Sequence, residues 1–294
     1  MKKVLFKGCA TAIVTPFTED SIDFESLAKL LEFQISQGAD AIVVCGTTGE
    51  SSTMTVEEKL ATIEFTIQYV NKRVPVIAGT GGNCTNSCIT LSKQAEELGA
   101  DGLLLVTPYY NKTTQEGLVM HYRAIASSTT LPIILYNVPS RTGLNLLPQT
   151  CLTLAEIPNI VAIKEASGNL SQVAEIASLC QDNLTIYSGN DDQILPILSL
   201  GGQGVISVLA NIMPNTVHNM VHHFLNGNFS SALSMQLETL PLIQALFCEV
   251  NPIPVKAALS MLGYSGCKLR LPLVEMSSSG KERLQLEMKK LGLI

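Results

Sequence analysis

Eight short runs of apolar, mostly β-branched residues recur along the chain, about 20 to 33 residues apart. The runs are apolar without alternation, which indicates strands that are buried on both faces of a parallel sheet. Each gap is long enough for the helix that a parallel crossover requires. The runs lie at residues 10–15, 41–45, 75–78, 102–106, 132–136, 160–164, 184–187 and 204–208.

The segments between the runs have the apolar spacing of amphipathic helices. A weak internal repeat indicates that the chain repeats one strand–helix unit. Leu27 and Leu31 share one helix face, and residues 38–44 (GADAIVV) resemble residues 99–105 (GADGLLL). Eight strand–helix units favour a closed α/β architecture, the (β/α)8 or TIM barrel, over an open doubly wound sheet. We therefore predict a barrel over residues 1–225 and a C-terminal helical extension over residues 226–294. Within the extension, leucines recur at helical spacing: Leu233, Leu237, Leu240 and Leu246.

Composition excludes several classes of function. The chain carries 19 Lys and Arg against 25 Asp and Glu, a net charge of −6, so we expect no nucleic-acid partner and no membrane surface. Its eight cysteines are scattered, several within apolar runs, which favours reduced thiols and a cytoplasmic protein. Cys84 and Cys88 lack a second pair or a nearby histidine, so zinc binding there is improbable.

The carboxyl ends of barrel strands carry active sites, and one such end holds a lysine. Lys164 closes the apolar run 160–164, so its amine should face the barrel mouth. Desolvation lowers the pKa of a buried lysine and leaves a neutral amine that can attack a carbonyl as a Schiff-base nucleophile. The alternative is a Lys164–Glu165 ion pair, but alternation along the strand turns Glu165 to the opposite face.

Hydroxyl groups and one cation surround this lysine in the predicted barrel. No histidine lies at a strand end, so Tyr136, with Tyr110, Thr47 and Thr48, is the candidate proton relay. The segment GTTG at residues 46–49 presents backbone amides suited to a carboxylate, and Arg141 is a candidate carboxylate ligand.

Nothing in the sequence indicates a resident metal ion or an organic cofactor. His218 and His222 are four residues apart and could share a helix face. With no third ligand in view, we interpret them as surface or core residues.

Several strings in order along the chain resemble the dihydrodipicolinate synthase and N-acetylneuraminate lyase family of pyruvate-dependent class I aldolases. They are GTTGES at 46–51, TPYYNK at 107–112, YNVPSRTG at 136–143, IKEA at 163–166, GVISV at 204–208 and NPIPVK at 251–256. The resemblance implies a (β/α)8 barrel that condenses pyruvate, bound covalently to a lysine, with L-aspartate 4-semialdehyde. It further implies a place in diaminopimelate and lysine biosynthesis and no separate cofactor.

The resemblance also implies roles for individual residues. Lys164 forms the imine, Tyr136 donates and accepts protons, and Thr47 and Tyr110 complete the relay. In the family, the residue that matches Tyr110 reaches a neighbouring subunit's site, which implies a dimer, usually within a tetramer. For the substrates, the resemblance implies these binding residues: Thr48 for the pyruvate carboxylate, Ile206 for pyruvate through its backbone, Arg141 for the semialdehyde carboxylate, and Gly189 as a further substrate-binding residue.

Two other functions stay open at this point. A sibling lyase would cleave N-acetylneuraminate, but those relatives lack an arginine at the position of Arg141. A catalytically silent α/β protein could instead sense small acids reversibly.

We predict that lysine, the end product of the implied pathway, inhibits this protein weakly or not at all. The floor of the family's inhibitor site is retained in Ser51, Asn83 and Tyr109. Sensitive relatives carry glutamate where this chain has Ser87 and histidine where it has Lys59, so a carboxylate partner is lost and a like charge is gained. Glu57 or Glu58 is a possible compensating carboxylate. Titrating lysine against the condensation rate checks this, and half-inhibition at submillimolar lysine would contradict it.

Overall fold

The computed structural model describes residue 2 and residues 4–294, and its centre is a closed barrel of eight parallel strands. Each strand pairs with its neighbour in chain order, and the last pairs with the first. This topology confirms the predicted (β/α)8 barrel. The strands are β1 (Gly8–Ala12), β2 (Ala41–Val44), β3 (Val76–Gly79), β4 (Gly102–Val106), β5 (Ile133–Asn137), β6 (Ile160–Glu165), β7 (Thr185–Ser188) and β8 (Gly204–Ser207).

Every predicted run overlaps an observed strand. The largest difference between predicted and observed bounds is at the first strand. The run at 10–15 predicts a later strand than β1, because Ile13 and Val14 are as apolar as the strand itself. Both are buried in the core outside the barrel, whereas the ladder with β8 begins at Gly8. Apolar character therefore located the strand but could not fix its ends.

Helices surround the barrel and bury one face each against it, as the amphipathic gaps predicted. Among the described residues, none forms a helix long and apolar enough to cross a membrane. The helices are α1 (Phe24–Ser36), α2 (Val56–Val70), α3 (Thr85–Glu97), α4 (Gln115–Ala126), α5 (Pro139–Thr142), α6 (Pro148–Ala155), α7 (Leu170–Cys180), α8 (Ile194–Ser199), α9 (Pro214–Leu225), α10 (Phe229–Leu246), α11 (Ile253–Met261) and α12 (Ser278–Lys290).

The buried apolar side chains form two separate cores. The larger core lies between the strands and the helices, and the smaller one fills the barrel interior. At the amino-terminal end of the strands, Phe6 stacks on Tyr187 with ring centroids 4.2 Å apart, and the Tyr187 hydroxyl donates to the Phe6 carbonyl at 2.7 Å. This pair blocks the barrel from below, so its interior is packed and not a channel.

The C-terminal region is helical as predicted, but two of its marker leucines face outward. Leu233 and Leu237 are 51% and 57% exposed. The buried face of α10 instead begins one residue earlier, at Ala232 and Gln236. One residue turns the helix by about 100°, so leucine spacing predicted the helix but did not define its buried face. The division into units 1–225 and 226–294 stays a prediction.

One buried ion pair ties this extension to the mouth of the barrel. Lys256 of α11 pairs with Glu50 in the loop after β2, and both side chains are 1% exposed or less. The Lys256 ammonium also donates to the Lys268 carbonyl at 2.7 Å and lies 4.3 Å from the centre of the Phe17 ring. Burial lowers the pKa of Lys256, and the charge of Glu50 opposes that shift.

We predict that Lys256→Met lowers the free energy of unfolding by about 3–5 kcal/mol, because it leaves the buried Glu50 carboxylate without its partner. The double variant Glu50→Gln with Lys256→Met should lose clearly less than the two single variants added together. Urea unfolding of all four proteins measures the cycle. Strictly additive single losses would contradict an energetically coupled pair.

Candidate active site

Lys164 lies inside the carboxyl end of the barrel, where the sequence predicted it. It sits on β6 beside Tyr136 of β5 and Tyr187 of β7. Its side chain is buried, and Nζ lies 4.3 Å from the centre of the Tyr136 ring. The amine is therefore surrounded by strands and an aromatic face and has little contact with solvent.

Burial sets the protonation of this amine. Desolvation lowers the pKa of Lys164 to about 7, and the nearby positive charge of Arg141 acts in the same direction. The carboxylate of Asp191 partly opposes the shift. At neutral pH a large fraction of Lys164 is thus a free amine, which is the form that attacks a carbonyl carbon.

The proposed alternative partner of Lys164, Glu165, points away from the barrel interior. Its carboxylate accepts hydrogen bonds from the Asn137 amide at 3.0 Å and from the Ser167 backbone N–H at 2.7 Å. Burial raises the pKa of Glu165, and these hydrogen bonds oppose the shift. A Lys164–Glu165 ion pair is therefore wrong, as strand alternation indicated.

Asp191 is a residue that the sequence reasoning missed. It follows β7 and is buried, with one oxygen accepting from the Ser207 hydroxyl at 2.5 Å and the other from the Val208 and Leu209 backbone amides at 3.0 and 2.9 Å. Burial raises the pKa of Asp191, and these hydrogen bonds oppose the shift. The sequence could have indicated Asp191, because it is an acidic residue that follows the strand next to the one that carries Lys164.

The loop after β2 offers hydrogen-bond donors at the barrel mouth. Thr48 is 3% exposed, and its hydroxyl accepts a hydrogen bond from the Asn251 amide at 3.0 Å, which leaves the hydroxyl hydrogen free to donate. Among the hydrogen bonds of the described residues, none is donated by the backbone amides of Thr47 or Thr48. Free amides and a free hydroxyl in one loop suit an incoming carboxylate.

Tyr136, Thr47 and Arg141 influence one another at this mouth. Burial raises the pKa of Tyr136, while the charge of Arg141 and a side-chain hydrogen bond with Thr47 oppose the shift. Arg141 lies in the short helix α5 and donates to the Asn251 carbonyl at 3.2 Å. Asn251, from the C-terminal extension, therefore contacts both Thr48 and Arg141. Sequence reasoning gave it no role, because nothing local in the tail links it to the strand ends.

Gly189 lies against the Lys164 stem, and Ile206 lies in the barrel interior. A side chain at Gly189 would place its Cβ 3.1 Å from two carbons of the Lys164 stem and 2.7 Å from the Ala166 Cβ. Glycine therefore leaves the space that the lysine stem occupies. Ile206 of β8 is fully buried in the same interior core as Tyr136.

Tyr110 is the one predicted site residue that the single chain does not bring into the cluster. It is 93% exposed and has φ of 71°, a left-handed backbone that a bulky residue rarely adopts. Its expected place in a neighbouring subunit's site stays a prediction.

The residues predicted to weaken lysine binding lie at or near the surface. Ser87 is exposed, and Lys59 is half-buried. Of the two carboxylates that could compensate, Glu58 is held by Arg270 in two hydrogen bonds of 2.6 and 2.7 Å. Glu57 is exposed. The pairing of Glu58 leaves Glu57 as the remaining candidate.

Comparisons with known proteins agree with this geometry. The model of the dihydrodipicolinate synthetase family matches residues 5–291. A 4-hydroxy-tetrahydrodipicolinate synthase of Clostridium acetobutylicum is 55% identical over 290 residues, which are 99% of this chain and 99% of the relative. The structure of the Aquifex aeolicus dihydrodipicolinate synthase has a TM-score of 0.96 at 45% identity, covering 98% of this chain and 99% of that one. A monomeric dihydrodipicolinate synthase variant has a TM-score of 0.97 at 44% identity, covering 99% and 98%.

Proposed function

This chain belongs to the dihydrodipicolinate synthetase family, and we propose that it condenses pyruvate with L-aspartate 4-semialdehyde. The product is 4-hydroxy-tetrahydrodipicolinate, an intermediate of diaminopimelate and lysine biosynthesis. One observation carries the proposal: a buried lysine whose pKa is lowered to about 7 lies against a tyrosine ring at the barrel mouth.

The lowered pKa supplies the nucleophile. At the ordinary lysine pKa of 10.5, about 0.03% of the side chain is neutral at pH 7, whereas at a pKa of about 7 the neutral fraction is about half. The Lys164 amine attacks C2 of pyruvate, and loss of water gives the imine. Removal of a C3 proton then gives an enamine, whose C3 attacks the aldehyde carbon. The amino group of the semialdehyde later attacks the imine carbon, closes the ring and releases Lys164.

The loop after β2 holds the pyruvate carboxylate in this proposal. The Thr48 hydroxyl and the free backbone amides of Thr47 and Thr48 are the donors. The absence of a side chain at Gly189 leaves the space that the lysine stem occupies, and Ile206 of β8 is proposed to border the substrate. A fixed carboxylate orients C2 of the ketoacid toward Nζ, which lowers the entropic cost of attack.

Tyr136 is the proposed proton donor and acceptor at the carbinolamine and imine steps. Its ring lies next to Nζ, and the neighbouring Thr47 side chain lowers its pKa against the effect of burial. Tyr110 completes the relay from a neighbouring subunit, so the proposal includes a homodimer, within a tetramer. The exposure of Tyr110 and its left-handed backbone support a loop that is shaped for contact with another chain.

Arg141 is the proposed ligand of the semialdehyde carboxylate and the residue that favours this acceptor over N-acetylneuraminate. Its guanidinium is tied to the Asn251 carbonyl and is close enough to Lys164 and Tyr136 to alter the pKa of each. The proposal further includes a cytoplasmic location and no cofactor other than the lysine itself.

We predict that sodium borohydride with pyruvate adds a covalent mass to the peptide that contains Lys164, because reduction fixes the imine. Mass spectrometry of the digested protein measures this. Lys164→Arg should abolish both trapping and condensation, since the guanidinium stays protonated. Lys112→Arg, which replaces an exposed lysine, is the matched control and should keep both activities.

Arg141→Ala separates the two halves of the reaction. This variant should retain borohydride trapping with pyruvate. Its rate of condensation with the semialdehyde should fall at least about 100-fold, because a charge-assisted bidentate contact with the substrate carboxylate is lost. An unmodified Lys164 peptide in the wild type would overturn the aldolase proposal and favour a reversible small-acid sensor. Faster cleavage of N-acetylneuraminate than condensation would favour the sibling lyase.

A further inference from the structure

At the amino-terminal end of the barrel, opposite Lys164, we propose a binding site for one divalent transition metal ion, with zinc as the best fit. Its ligands are Asp40, His218 and His222. One ligand atom from each lies within 4.8 Å of the other two. Two imidazoles and one carboxylate form a ligand set that suits zinc and leaves a fourth position for water.

The third ligand comes from a distant part of the chain. His218 and His222 lie one turn apart on α9, which explains why they share a face. Asp40 directly precedes β2, some 180 positions earlier in the sequence. The interpretation of the two histidines as ordinary surface or core residues rested on a missing third ligand, and the fold supplies one.

The distances are close to those that a tetrahedral metal requires. The Asp40 carboxylate lies 2.9 Å from Nδ1 of His218 and 3.2 Å from Nε2 of His222. Ligand atoms at about 2.0–2.1 Å from zinc lie about 3.3 Å from one another in a tetrahedron. The two imidazole nitrogens lie within 4.8 Å of each other, so small side-chain movements bring them to the tetrahedral separation. Each neutral imidazole would bind the ion through its unprotonated nitrogen and keep its single N–H on the other ring nitrogen.

The surroundings hold the carboxylate in place. The Cys9 backbone N–H donates to Oδ2 of Asp40 at 2.8 Å, an outer hydrogen bond of the kind that orients metal-ligating carboxylates. Gly8 has φ of 116°, and a Cβ there would lie 2.0 Å from Oδ2 of Asp40 and 2.8 Å from Nε2 of His222. Only glycine leaves this cluster its space.

Solvent reaches all three ligands, so an ion and its water ligand have a path of entry. The three side chains are 20–34% exposed. Without an ion, both imidazoles hydrogen-bond to the one carboxylate. The experiment must therefore distinguish a metal site from a hydrogen-bonded cluster that binds no metal.

A metal at this place would join the two ends of the barrel sequence. Asp40 and Cys9 belong to the first strand–helix units, whereas α9 follows β8, the strand that closes the barrel against β1. Because the ion would bind the folded chain and not the unfolded one, it would stabilise the fold. The site around Lys164, at the opposite end of the barrel, would not change.

The test is zinc titration of the metal-stripped full chain by isothermal calorimetry, with thermal unfolding measured in parallel. We expect one equivalent per chain with a micromolar or lower Kd, and a higher Tm with zinc. His218→Gln and His222→Gln should each weaken binding at least about 100-fold and remove the Tm shift. His223→Gln, which changes the neighbouring histidine outside the cluster, is the matched control and should bind like the wild type.

Cobalt distinguishes this site from binding at thiols such as the exposed Cys84. Bound Co²⁺ should show visible bands of a tetrahedral nitrogen and oxygen site without thiolate charge-transfer absorption, and pyruvate trapping should not change. Equal zinc binding by the wild type and His218→Gln would overturn the proposal, as would the absence of binding at 100 μM zinc, about a hundred times a micromolar Kd.

Discussion

The chemistry of this protein depends on one physical constraint, the exclusion of water from the barrel around the Lys164 amine. An ammonium is stable in water and costly in an apolar interior, so burial shifts the equilibrium toward the neutral amine. Phe6 and Tyr187 block the barrel from below, and the Tyr136 ring lies against Nζ. A channel through the barrel would hydrate the amine and restore its ordinary pKa.

Charges near the lysine adjust this effect in opposite directions. Arg141 favours the neutral amine, whereas the buried Asp191 favours the ammonium. Asp191 is itself held by a hydroxyl and two backbone amides, so it stays fixed. The imine formed with pyruvate can be cationic, and a nearby anion would stabilise it. Asp191 thus opposes the neutral nucleophile and favours the cationic intermediate.

Loop and extension residues position the mouth of the barrel around this amine. Asn251 joins Thr48 and Arg141, and the Lys256–Glu50 pair holds the extension on the same loop. The C-terminal helices therefore do more than cover the barrel, since they fix two of the groups that are proposed to bind the substrates.

The sequence predicted those features that are encoded by local patterns. Eight apolar runs predicted the barrel, and a lysine at the end of one run predicted the buried amine, because strand alternation and burial follow from neighbouring residues. Contacts between distant segments left no such pattern. Asn251 at the mouth and Asp40 beside His218 join residues more than 170 positions apart, and only the closed fold brings them together. The outward orientation of Leu233 also left no local pattern, because spacing identifies a helix face but not the direction in which it points.

The most direct measurement of the central claim is the titration of the Lys164 amine itself in the substrate-free protein. A small amine-reactive reagent, applied over a series of pH values and read by mass spectrometry of the Lys164 peptide, reports the neutral fraction. We expect a labelling midpoint near pH 7, well below the ordinary lysine pKa of 10.5. A midpoint for Lys164 near that ordinary value of 10.5 would show a hydrated ammonium and contradict the exclusion of water from the amine.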